Sequence, residues 1–293
     1  MSSILVFGAS GVIGEFLLPQ LAARGERVLA VSRTAASRAR ASGKIDWLQG
    51  DLCVEVASLP PHDAVLSLGP LDAFAAWFAR TASAGTRGGP KRVIAISSMS
   101  AESKRDSVDA AERELSTRLR TAETLLMQTA RECGIGCTIF RPTLIYGTGR
   151  DRSLASIARF AKRFRVLPIP RADGLRQPVH AADLAAAFLA AFDNAATFGK
   201  IYELGGGERL RFDALLRRIA AGPPRLALPL PVPLTFARAG ALLLRGRLGA
   251  GALARLSEPL IADNTAAERD FGYTPRAFRA QDVFGCADSR SAD

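Results

Sequence analysis

The chain opens on a short apolar run, Ser3-Ile-Leu-Val-Phe7, that passes straight into Gly8-Ala-Ser-Gly11-Val-Ile-Gly14 and then into a helical pattern. Glycines at that spacing permit a turn too tight for side chains and let backbone approach whatever lies above it. A strand that ends by turning into a helix is the first half of a β-α-β unit, which commits the chain to parallel pairing. The pattern repeats. Strands are expected at Ile4–Phe7, Val28–Val31, Ile45–Leu48, Ala64–Leu68, Arg92–Ile96 and Gly136–Phe140, with helices at about Val12–Arg24, Asp72–Ala84 and Ala110–Glu132. Near-continuous apolar strands alternating with helices indicate a doubly wound α/β fold, a parallel sheet covered on both faces.

After Arg150 the pattern loosens. A basic helix over Ser153–Phe164 leads to a Pro-rich loop, Leu167-Pro-Ile-Pro-Arg171. A strand-like Gln177–Val179, a helix over Ala182–Phe192, a strand over Ile201–Leu204 and a helix over Phe212–Ala221 follow. The reading is a Rossmann-type domain over residues 1–150 and a smaller, interleaved C-terminal lobe over 151–280. Residues of about 177–204 return to the sheet, and a frayed tail spans 281–293.

With 293 residues, 48% hydrophobic, the chain has ample material for a core, which excludes a disordered or disulfide-scaffold class. The net charge is +11, and 34 of the 39 basic residues are arginine. That balance suits an anionic partner or a set of solvated arginines. No block of five Lys/Arg occurs, so nucleic acid is not favoured. Cys53, Cys133, Cys137 and Cys286 form no C-x-x-C pair, and His62 and His180 are the two histidines, so no zinc site is expected. Scattered cysteines, no signal-peptide pattern and no long apolar run point to a cytoplasmic protein.

The glycine turn carries the chemistry. Its backbone and the helix N-terminus behind it offer N–H groups and positive dipole to a pyrophosphate, which indicates a dinucleotide. The spacing is G-x-x-G-x-x-G. Gly50-Asp51-Leu52, Ile96-Ser97-Ser98, Phe140-Arg-Pro-Thr-Leu-Ile-Tyr-Gly147, Gln177-Pro-Val-His-Ala-Ala-Asp183-Leu184 and Tyr202-Glu-Leu-Gly-Gly206 follow in order. In these pieces the chain resembles the extended short-chain dehydrogenases/reductases, the NAD-dependent epimerase/dehydratase family, over roughly residues 3–275. The resemblance implies cofactor contacts at Gly8, Ser10, Gly11, Ile13, Gly14, Ser32, Arg33, Asp51, Leu52, Gly69, Ser97 and Pro142, with Asp51 reaching the adenine. The second strand ends Val31-Ser32-Arg33 without the acid that NAD selectivity needs. Arg33 suits a 2′-phosphate, so NADP(H) is expected over NAD(H).

The family's Tyr-x-x-x-Lys dyad is missing. No Tyr lies between Ser98 and Tyr146, and Lys104 is the one Lys in that window. Aligning Ala122-Glu123 on the family's helix puts Leu115 and Leu119 at the dyad positions, on an apolar, buried stripe with Ala122 and Leu126. A slip of register puts Glu114 and Arg118 there instead. Ser98, which matches the family's serine, and Tyr146 are the weak catalytic candidates. His180 is read as a satisfied structural group at a helix start rather than a general acid.

In the second lobe Arg159, Arg163 and Arg165 are either a solvated basic face or a recognition site for an anionic substrate. Pro223–Arg247 reads as a lid or an oligomer contact in preference to a membrane contact. Three functions stay open: a reductase, dehydrogenase or epimerase on a small carbonyl or alcohol, a non-catalytic NADP(H) sensor or scaffold, and, as the weakest, an RNA-binding relative. Ser98 and the full second lobe tip the reading towards the enzyme, acting as monomer or homodimer.

Overall fold

The computed structural model describes residues 2–33, 45–52, 59–82, 89–151, 153–222, 227–233, 256 and 258–285. In chain order the first elements are β1 (Ser3–Phe7), α1 (Gly14–Ala23), β2 (Arg27–Ser32), β3 (Ile45–Gln49), β4 (Ala64–Ser67) and α2 (Leu71–Ala82). There follow β5 (Arg92–Ile96), α3 (Ser100–Ser103), α4 (Ala110–Glu132), β6 (Gly136–Pro142), β7 (Ile145–Tyr146) and α5 (Leu154–Phe164). The remainder are β8 (Val166–Pro170), β9 (Leu175–Arg176), β10 (Val179–His180), α6 (Ala181–Phe192), β11 (Lys200–Leu204), β12 (Leu210–Arg211), α7 (Phe212–Ala220), β13 (Leu228–Val232) and α8 (Thr265–Phe271).

Seven strands form one parallel sheet in the order β3-β2-β1-β4-β5-β6-β11. Strand alternation sorts the core into two layers. Ile4 and Val6 face α1 and α6 with Leu17, Leu21, Leu184 and Phe188, while Leu5 and Phe7 face α2 and α4 with Phe74, Trp77, Phe78 and Leu126. This is the doubly wound fold expected from the strand pattern; the strand expected over Ile201–Leu204 lies within β11, the seventh of the sheet, whereas Val179–His180 pairs with β7 outside it. Strand order reverses between β1 and β4, so a crevice opens above their carboxyl ends.

Arg92, at the start of β5, is buried and has no carboxylate among its hydrogen-bond partners. Its guanidinium donates to the carbonyls of Ala191 (2.8 Å), Phe192 (3.3 Å) and Gly136 (3.0 Å), and to the hydroxyls of Thr138 and Thr197 (2.8 Å each). The Phe198 ring lies 4.6 Å from it. The positive group closes the carbonyl end of α6, the negative pole of that helix. Burial pulls its pKa down to about 10, still well above neutrality.

Three expectations are corrected. Leu167–Arg171 is not a loop: Val166–Pro170 forms β8, paired in parallel with β13. Leu228 N–H donates to Arg165 O and Arg171 N–H to Val232 O, so Pro168, Pro170, Pro229 and Pro231 all fall where a backbone N–H would point away from the partner. Gln177–Val179 is likewise shifted, with Leu175–Arg176 and Val179–His180 as separate two-residue strands. Finally, Ala280–Phe284 is a 3₁₀ turn rather than a frayed tail, because Val283 is fully buried beside Tyr146, Leu154 and Leu215. Cys53, Cys286 and most of Pro223–Arg247 lie outside the described residues.

The second lobe packs α5 and α7 against β8 around Ala161, Leu167, Ile169 and Leu216. Among the described residues no helix is long and apolar enough to cross a membrane.

Candidate functional site

The glycine turn sits at the crevice where strand order reverses. Gly8 has φ +69°, and a Cβ there would lie 2.7 Å from the backbone nitrogen of Gly69, which follows β4. Gly11 N–H closes the turn on Gly8 O at 2.9 Å. Gly14 starts α1 against the preceding chain, since a Cβ there would stand 2.0 Å from Ala9 O. No side chain caps the helix at Ile13, whereas α4 is capped by Asp109 and α6 by His180. Glu15 N–H donates to Gly11 O (3.3 Å) and Phe16 and Leu17 N–H to Ile13 O (3.0 Å each), so the groups offered to a ligand are those of the turn ahead of them.

Around the turn the expected contact residues do converge. Ser32 Oγ donates to Ser10 Oγ at 2.9 Å, tying the end of β2 to the turn. Gly50 N–H donates to Ser32 O at 3.2 Å, which holds Gly50-Asp51-Leu52 beside it. Arg33 is exposed at the end of β2. These residues fit a dinucleotide: a backbone cradle that a Cβ would fill, an uncapped helix, and a cation in place of an acid where the adenine ribose would lie.

At the other end of the crevice Ser97 N–H donates to Phe140 O at 2.7 Å and Met99 N–H to Pro142 O at 3.0 Å, so the ends of β5 and β6 are zipped together. Sequence reasoning missed the network beneath them. Glu123, on α4, is buried and accepts from Ser97 Oγ (2.5 Å) and from Arg141 Nε (2.8 Å) and its terminal nitrogen (2.5 Å). Arg141 also donates to Glu102 at 2.8 Å, and its pKa is raised, first by the hydrogen bond to Glu123. A lone arginine in Ile-Phe-Arg-Pro and a lone glutamate in an apolar helix stripe were the signal: each needs an opposite charge to be buried.

Helix α4 is clamped by the segment that precedes it. Ser116 Oγ donates to Ala101 O at 2.6 Å, and Glu112 accepts from Ser107 Oγ at 2.7 Å, so α3 lies on α4. Ala122 and Leu126 are buried as expected, but Leu115 and Leu119 are half-buried, a correction to the fully buried stripe. Leu119 packs on the edge of the core formed by Phe74, Phe78 and Leu126. Glu114 and Arg118 are exposed.

Ser98 Oγ accepts from Ser100 N–H at 3.1 Å and keeps its own proton to donate. Tyr146 has a different placement from a cleft-lining ring. It is 0% exposed, its hydroxyl accepts from Arg279 N–H at 3.2 Å, and it packs on His180 and Phe278. Burial pushes its pKa up to about 12, away from any proton-transfer role at neutral pH.

His180 caps α6: its Nδ1 accepts from Ala182 N–H at 3.1 Å, which leaves the proton of the neutral ring on Nε2. Gly147 packs so closely on that ring that a Cβ would lie 2.5 Å from Nε2. The neighbouring Asp183 is held by Arg276 at 2.8 Å. Burial, then the Arg276 charge, lowers the His180 pKa below its ordinary 6.5. At acid pH the unfolded chain takes up a proton that the folded imidazole resists, so stability present above 6.5 is lost as pH falls below it. His180→Asn, which keeps a cap, is expected to flatten that acid limb in urea titrations run at a series of pH values; an unchanged limb would show that His180 does not carry it.

Comparison with known proteins follows this geometry. The model of the NAD dependent epimerase/dehydratase family matches residues 4–205. The chain belongs to that family. Among solved structures, the family member resembles UDP-glucuronic acid 4-epimerase from Bacillus cereus in complex with NAD, with TM-score 0.72, 16% identity, and 97% of this chain and 94% of that one covered. It also resembles UDP-glucose 4-epimerase from Thermotoga maritima, with TM-score 0.68, 18% identity, and 96% of each chain covered. At those identities the likeness is one of fold. A curated relative is the mitochondrial NADH dehydrogenase [ubiquinone] 1 alpha subcomplex subunit 9 of Arabidopsis thaliana, 28% identical over 78% of this chain. The chain spans 60% of that relative's length.

Proposed function

We propose that this epimerase/dehydratase-family protein binds NADP(H) at the Gly8–Gly14 turn and holds it without turning it over, as a nucleotide-responsive scaffold. The observation that carries the reading is the placement of Tyr146. It is the single tyrosine near the nicotinamide end, and it is sealed in the second lobe's core with its hydroxyl on Arg279. The sequence alignment puts Leu115 and Leu119, or Glu114 and Arg118 after a slip of register, at the family's dyad positions, and His180 is engaged as a cap. These placements take Tyr146 and His180 out of proton transfer at a substrate oxygen. When bound, the nicotinamide would supply hydride, but an acceptor carbonyl would meet a lone serine hydroxyl. Likeness to a subunit of a larger respiratory enzyme supports a scaffold role as well.

A second reading is favoured by Ser98, whose free proton suits polarising a carbonyl with solvent completing the transfer. The test is a screen of small carbonyls and alcohols with NADPH and NADP⁺, following nicotinamide absorbance, with Ser98→Ala and Tyr146→Phe beside the wild type. The scaffold reading expects no turnover in any of the three. Tyr146→Phe should lose about 1 kcal/mol of stability, because Arg279 N–H forfeits its acceptor. Turnover abolished by Ser98→Ala would establish the reductase instead. Arg33→Ala is expected to weaken NADPH while leaving NADH unchanged; equal loss of both would remove Arg33 as the 2′-phosphate contact.

A further inference from the structure

The second lobe carries a surface that the dinucleotide site does not use. Its register is decisive: Val166 pairs Leu228, Pro168 pairs Leu230 and Pro170 pairs Val232, so these six side chains share one face of the β8–β13 ribbon. On the opposite face Leu167 and Ile169 of β8 are buried against α5 and α7. The outward face is wholly apolar, and Leu228 is 62% and Leu230 40% exposed. It continues into the end of α5, where Phe164 is 58% and Phe160 43% exposed, their rings 4.6 Å apart. Leu228 N–H on Arg165 O, at 2.9 Å, joins the two parts.

Charge on this lobe is segregated. Residues 152–172 hold six Lys/Arg and no Asp or Glu, and residues 214–257 hold seven arginines and again no acid. Arg159, Lys162, Arg163, Arg165 and Arg171 are exposed along the first of these. Beside the apolar face a cavity of about 410 Å³ is lined by Arg165, Arg217, Ala220, Ala221, Ala227, Leu228 and Pro229. Neither Arg165 nor Arg217 has a carboxylate partner among the described residues.

We infer that this face docks on an anionic phospholipid membrane. Phe160, Phe164, Leu228 and Leu230 enter the interfacial zone, and Arg165 and Arg217 take a lipid phosphate in the cavity between them. Apolar side chains bordered by the exposed cations Arg159, Lys162, Arg163, Arg165 and Arg217 are what such an interface rewards. A nucleic acid would match the arginines but gain nothing from a leucine–proline–valine face.

Co-sedimentation with vesicles of phosphatidylcholine, with and without phosphatidylglycerol, tests this. Binding is expected to the anionic vesicles alone and to weaken as salt is raised. Arg165→Gly with Arg217→Gln should lower affinity roughly 25-fold, at about fivefold per cation lost. The Arg165 backbone sits at φ +59°, which glycine accepts readily, so that change does not threaten the fold. Phe164→Ser is expected to weaken binding, and Arg27→Gln, an exposed cation on the main sheet, to leave it unchanged. The inference is overturned by any of four results. These are no binding to anionic vesicles, equal binding to neutral ones, full binding by the double variant, or displacement by polyuridylate at low salt. A dimer in solution that Phe164→Ser converts to monomer would assign the face to a second copy instead.

Discussion

Gly14→Ala is expected to lower NADPH affinity by about 100-fold or more, since losing one or two charge-assisted backbone contacts to the pyrophosphate is enough for that. The methyl group would stand 2.0 Å from Ala9 O, backbone that cannot yield without opening the turn. The start of α1 then moves off the crevice, and the N–H groups of the turn no longer converge. Gly11→Ala provides the graded comparison. There the added carbon meets Gly8 O at 3.0 Å, which a shift of a few tenths of an ångström relieves, so a smaller loss is expected. Urea unfolding of both variants separates lost binding from lost fold. Wild-type affinity in Gly14→Ala would mean that the dinucleotide lies elsewhere.

Arg92→Met is expected to cost about 3–5 kcal/mol of stability, since several buried acceptors lose their donor at roughly 1 kcal/mol or more each. The change strands the carbonyls of Ala191, Phe192 and Gly136 together with the hydroxyls of Thr138 and Thr197. Arg92→Lys should recover little of it, since an ammonium offers three donors without the planar fork or the stacking on Phe198. Equilibrium denaturation measures both. A loss under about 1 kcal/mol for Arg92→Met, the value of a single ordinary hydrogen bond, would show that water replaces the guanidinium and that α6 is held by its apolar face alone.

These two positions mark how far the sequence was legible. Gly8, Gly11 and Gly14 could be read because a steric requirement leaves a composition signal at fixed spacing, next to a strand that announces itself. A parallel, doubly wound sheet and a strand over Ile201–Leu204 could be read from the repeated β-α units. Arg92 could not be read, because a basic residue opening a strand looks solvated until α6 is known to end above it. The Arg141–Glu123 pair was hidden for the same reason: both residues were noticed within motifs, but their contact crosses from strand to helix. Pro168, Pro170, Pro229 and Pro231 argued for loops, since proline's missing donor is visible in sequence and the direction in which that donor would point is not. Tyr146 sits beside the expected nicotinamide end in sequence, yet Phe278 and Val283, more than 130 residues on, close over it.

The central claim is that this chain holds a phosphorylated dinucleotide in the crevice above β1 and β4. A fluorescence titration of the purified protein with NADPH and with NADH tests it most directly. The account predicts a dissociation constant of micromolar order for NADPH, with NADH at least about tenfold weaker for want of the charge-assisted contact to Arg33. Binding of neither nucleotide would contradict it, and would leave Gly8–Gly14 as a turn that keeps the family's shape without its ligand.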